Sequence, residues 1–131
     1  MHAQRLTALA ALLATVPPEK FDLEGWRMDK PGGNECWQEK LTDAMLLNPA
    51  CGTCGCAVGW ACAMPEFQQQ GLVWEKTPAF GEERGWDAVS AFFDLSDDAT
   101  QYLFSASHYE REHPTAADVV ERITKLLKAE A

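Results

Sequence analysis

Positive charge is scarce in this sequence. Asp and Glu outnumber Lys and Arg by 20 to 11, for a formal net charge of −9. Such a chain is repelled by phosphate backbones, which argues against nucleic-acid binding. The charge serves first to keep a protein soluble, and it also suits contact with a basic protein surface, including one that ordinarily holds nucleic acid. Any apolar run long enough to cross a membrane is also missing. Neither an internal repeat nor a low-complexity tract is present. At 131 residues the chain is read as a single globular domain spanning 1–131, able to bury a modest core without staples. An apolar content of 47% with five tryptophans points to a folded globule rather than disorder.

The opening MHAQRLTALAALLATVPP looks superficially like a secretion signal. Thr7 and Thr15 interrupt its apolar run, however, and no small-x-small cleavage site follows. Leu6, Leu9, Leu13 and Val16 instead recur at helical spacing. The expected location is cytoplasmic (host cytoplasm, if the protein is phage-encoded), where thiols stay reduced. An odd count of five cysteines also argues against a full disulfide framework.

The pattern predicts a helix from about Ala3 to Val16, stopped by Pro17 and Pro18. A turn at Lys30-Pro-Gly-Gly-Asn34, with Cys36-Trp37 beyond it, reads as a short hairpin or ordered loop. Small residues from Thr53 to Met64 predict a short buried helix, capped by Thr53 and closed by Pro65. Gly55 and Gly59 would let another backbone approach that segment, offsetting a propensity cost of about 1 kcal/mol each. Leu72-Val73-Trp74 reads as a strand, and Trp86, Val89, Phe92 and Phe93 mark a further helix. Ser96 caps the next, with Asp97 and Asp98 in its first turn. Thr115-x-x-Asp118 is a capping box opening a last helix with an apolar stripe at Val119, Val120, Ile123, Leu126 and Leu127. The fold class expected is mainly α, a small helical domain of about five helices with a minor hairpin or irregular β element.

Residues 88–104, AVSAFFDLSDDATQYLF, have the spacing of a helix-turn-helix. No Lys or Arg lies between Asp87 and Glu110, and Asp97 and Asp98 stand where base-reading side chains would. A packed helical hairpin is the better reading.

The stretch CGTCGCAVGWAC, residues 51–62, holds every cysteine except Cys36. Structural zinc needs four ligands, usually as two close pairs. Cys51 and Cys54 make one pair and Cys56 lies nearby, but Cys62 falls about 240° round a helix from Cys56. The fourth ligand would come from Cys36, His108 or His113, and Cys51, Cys54, Cys56 and His108 form the candidate metal set. A redox reading places Cys-Gly-Thr-Cys at a helix start, where a thiolate is stabilised. It lacks a preceding β-branched strand and a surrounding βαβ pattern. A nucleophile reading uses Cys54 with His108 or His113 as base. The preferred reading is packing, because free cysteine behaves as a small buried hydrophobe. On that reading no cofactor is expected, with zinc the alternative.

In chain order, PPEKFDLEGW, CGTCGCAVGWA, AVSAFFDLSDDATQYLF and HPTAADVVERITKLL resemble a family of small phage and bacterial proteins. That family has a Cys-Gly-Thr-x-x-Cys-x-x-Gly core, then a FFGL…LF segment and a T-x-x-x-V-x-x-R-I terminal helix. The likeness spans most of the chain and implies a phage or prophage setting and a fold, but no reaction. It makes Cys51 and Cys56 the recurrent pair and Cys54 and Cys62 additions. The function expected is binding of a protein partner with a basic surface, inhibiting or modulating a host system, rather than catalysis. The alternative is a zinc or thiol-redox protein centred on 51–62.

Overall fold

A computed structural model describes residues 1–30 and 41–130. The turn and hairpin expected around 31–37 lie outside the described residues. Among those described are seven α-helices, two 3-10 turns and two small antiparallel sheets.

Helix α1 (Ala3–Leu13) buries Leu6, Leu9 and Leu13 and is capped by His2, whose Nδ1 accepts from the Arg5 backbone N–H. Tight turn bonds carry the chain on to Val16, and Pro17 ends it. A 3-10 turn (Pro18–Lys20) leads to β1 (Arg27–Met28). Helix α2 (Asp43–Leu47) is capped by the Thr42 hydroxyl, and nothing in the sequence pattern had marked it. Strand β2 (Cys54–Gly55) pairs with β1, Arg27 opposite Gly55 and Met28 opposite Cys54.

The helix expected over 53–64 is shorter. It runs as α3 (Ala57–Ala61), because residues 54–55 are taken by the pairing with β1. Its cap is therefore Cys56, whose Sγ accepts from the Gly59 N–H, and not Thr53. Helix α4 (Pro65–Gln69) starts with proline at its first position, and a meander of β3 (Leu72–Trp74), β4 (Pro78–Phe80) and β5 (Glu83–Arg84) follows. The expected strand at 72–74 is one of its three.

The helices read from 86 onward stand where the pattern put them. Helix α5 (Trp86–Phe93) ends at Asp94, which adopts a left-handed conformation (φ 52°) and turns the chain into α6 (Asp97–Phe104). Ser96 caps α6, and a Ser90–Thr100 hydroxyl bond of 2.8 Å ties the two helices. They form the packed hairpin expected. After a 3-10 turn (Ala106–His108), Thr115 and Asp118 exchange bonds at the head of α7 (Ala116–Glu130), completing the capping box. Helix α7 packs along α1 and touches α6.

The core has a phenylalanine half and a backbone half. Phe67, Phe92, Phe93 and Phe104 meet at centroid separations of 4.9 to 5.9 Å, mostly edge to face. Each of these buried rings contributes on the order of 1.5–3 kcal/mol over an exposed position. No described helix is long and apolar enough to cross a membrane.

Candidate functional site: an acidic groove above a cation-stapled centre

Gly55 and Gly59 admit the Trp26 carbonyl. A Cβ on Gly55 would sit 2.7 Å from that oxygen, and one on Gly59 would overlap it outright. The Cys56 N–H donates to the carbonyls of Gly25 and Trp26, so the 25–28 backbone lies in a slot cut by missing side chains. The close approach expected of the two glycines is present, and both serve the same neighbour.

Two cations lock this slot. Arg27 is fully buried. It donates to the carbonyls of Gly59 and Leu41, pairs with Asp43 at 2.6 Å and stacks over Trp74. Asp43 also accepts from Gln68, which bonds the Cys62 carbonyl and so extends the network. Lys20 is buried as well, its Nζ donating to the carbonyls of Met45, Asn48 and Cys51 at 3.3, 3.0 and 2.9 Å. Three oxygens supply the partners a buried ammonium requires. The Lys20 carbonyl in turn accepts from the Trp60 indole at 2.9 Å. Sequence pattern had singled out neither cation.

The cysteines divide by exposure. Cys51, Cys54, Cys56 and Cys62 are all free thiols. Cys51 is partly exposed, 3.2 Å from the Thr53 hydroxyl. That hydrogen bond, with the Thr53 backbone N–H and the nearby Lys20 charge, holds its pKa below the ordinary thiol value against a small burial effect. Burial pushes Cys54 up to about 11 and raises Cys62 further still. Neither suits the nucleophile or redox roles considered for this stretch, which need a thiolate. Nor does a helix start fall at Cys51 or Cys54, since α3 opens beyond them. His108 is exposed and faces Ser107. Among the described residues no three His, Cys, Asp or Glu side chains are grouped to hold a metal ion, so Cys51, Cys54, Cys56 and His108 are not drawn together as a ligand set.

Two hollows open beside the centre. The larger, of about 1500 Å³, lies between the end of α1, the strap at 21–24, residues 28–30 and the head of α7. Leu13, Val16, Phe21, Met28 and Val120 give it apolar walls. Asp22, Glu24 and Asp29 line it with carboxylates, against Lys30 and His113. The smaller, of about 320 Å³, is lined by Trp26, Trp86, Phe104 and Glu24 with the hydroxyl residues Ser105 and Ser107. Trp26 and Trp86 meet there at 4.6 Å. The tryptophan pair thus borders a hollow as well as filling space.

The charge distribution follows from these placements. No described carboxylate residue is buried, whereas Lys20 and Arg27 are. Arg122 covers the rings of Tyr102 and Tyr109, and Arg5 lies over Phe92. Two cations are thus enclosed, most others stay at the surface, and none of the described acids is buried. No family model, curated protein or solved structure matches the chain.

Proposed function

We propose that this protein acts by binding another protein through its negative surface, as a modulator or inhibitor rather than as an enzyme. One observation carries the reading: two of the cations are folded inside while every described carboxylate residue keeps contact with solvent. Within a formal balance of −9, which counts the buried cations too, the carboxylates are the charges that reach the surface a partner meets. Such a field steers basic partners and repels nucleic acid and anionic membrane surfaces. The family resemblance adds a phage or prophage setting and the host cytoplasm as the place of action. Affinity capture from bacterial lysate tests the reading. The expected catch is a basic, nucleic-acid-handling protein released progressively as salt rises, because screening shortens the reach of charge. Retention indifferent to salt would remove charge as the basis of binding.

A second reading, thiol or zinc chemistry at 51–62, has one observation in its favour: the partly exposed Cys51, whose pKa is lowered by the Thr53 hydrogen bond. Elemental analysis with thiol titration separates the two. Stoichiometric zinc would establish the second. A metal-free protein whose Cys51 reacts in the native state no faster than an ordinary free thiol would remove the second.

A further inference from the structure

The two hollows share a wall. Leu23 and Glu24 border the large groove on one side and the small pocket on the other. We infer that this continuous surface docks an amphipathic, basic segment of the partner. Its apolar side lies along the groove, and one lysine or arginine head enters the pocket beside Glu24 and Trp86. The inference rests on the protein-binding reading above and names the surface that performs it.

Size decides first. A groove of about 1500 Å³ exceeds the roughly 300–1,000 Å³ typical of small-ligand pockets. A volume of that order takes a stretch of helix laid against apolar walls. Charge decides next. Asp22, Glu24 and Asp29 outnumber Lys30 among the residues charged at neutral pH, so the apolar face of the partner must be flanked by positive groups. The small pocket then supplies register. At about 320 Å³ it has room for a single side-chain head. Trp26, Trp86 and Phe104 line it, aromatic rings being able to attract a cation, and Glu24 brings a carboxylate. An anionic head would meet Glu24 with like charge. Trp86 is among the few large hydrophobics left exposed in the described structure, as an anchor for a partner would be.

The test uses two synthetic probes of equal length and charge: a helical peptide with Leu on one face and Lys on the other, and a peptide in which each Leu is replaced by Ser. Affinities come from fluorescence anisotropy of labelled peptide at low salt, with tryptophan emission followed alongside. The Leu/Lys peptide is expected to bind at least about tenfold tighter than the Ser version and to shift tryptophan emission. Glu24→Lys and Trp86→Ala should each weaken it roughly tenfold. Glu82→Lys, equal in charge to Glu24→Lys but lining neither hollow, should weaken it less than about threefold. Glu24→Gln provides a milder change at an exposed position, and circular dichroism verifies that every variant is folded. Equal binding of both probes, with Glu24→Lys and Glu82→Lys equally damaging, would overturn the docking surface and leave the acidic reading standing. Failure of both cationic peptides to bind would overturn the acidic reading itself.

Discussion

The two halves of the interior are held by opposite means. Around Phe67, Phe92, Phe93 and Phe104 the protein is stable because large side chains are present and their edges meet neighbouring faces. Around Gly55 and Gly59 it is stable because side chains are absent, so that the Trp26 carbonyl and the Arg27 backbone can press in. The phenylalanine half gains from apolar area, which tolerates exchange among hydrophobes of similar volume. The glycine half gains from backbone hydrogen bonds and two enclosed cations, which tolerate almost no exchange. A single small domain can thus place a forgiving core beside an unforgiving one, and the surface proposed for docking opens beside the unforgiving one.

Substitutions can break this contrast in order of expected size. Phe92→Ala should cost about 3–5 kcal/mol in denaturant unfolding, while Phe92→Leu recovers most of it. A Leu variant as damaged as the Ala variant would mean that ring geometry, not volume, governs that half. Gly59→Ala should cost about 3 kcal/mol or more and exceed Gly55→Ala, following the severity of their clashes with Trp26. Equal, small effects at both would show the slot to be adaptable after all. Arg27→Met should cost about 2–3 kcal/mol, because it leaves the Gly59 and Leu41 carbonyls without their donors. Full stability in that variant would reduce Arg27 to filler.

The smallest effect is a dependence on pH. Cys54 is raised to about 11, chiefly by burial, and Cys62 and Tyr109 are raised by the same cause. A raised acid favours the folded state while protonated. The stability is therefore complete below the unfolded thiol value of about 8.5 and declines as pH climbs toward the folded values. The denaturant midpoint should fall between neutral and about pH 10, and Cys54→Ala should flatten part of that slope. An unchanged slope in Cys54→Ala would assign the alkaline loss elsewhere.

Local signals made the phenylalanine half legible. Ser96 and the Thr115–Asp118 pair announce helix starts, and the apolar spacing of α5 and α7 sets their buried faces. Each signal spans only a few residues and needs no distant partner. The glycine half was legible in one respect, since Gly55 and Gly59 require a close neighbour whatever it is. That neighbour could not be read, because Trp26 is brought to them by a two-residue strand pairing with no periodicity of its own. Lys20 and Arg27 were hidden for a related reason. A cation that turns inward looks, in a sequence, like one that faces water, and its carbonyl partners come from three separate segments. Helix α2 and strands β4 and β5 are likewise too short for hydrophobic periodicity to reveal.

The tryptophan pair has an optical consequence. Trp26 and Trp86 lie 4.6 Å apart with their planes inclined by 56°. Indole rings this near couple their excitations, and a bisignate exciton band in circular dichroism is the expected sign of that coupling. That band belongs to the pair and vanishes when either ring is lost or turned. The protein therefore carries its own spectroscopic gauge at the mouth of the small pocket, read without a label.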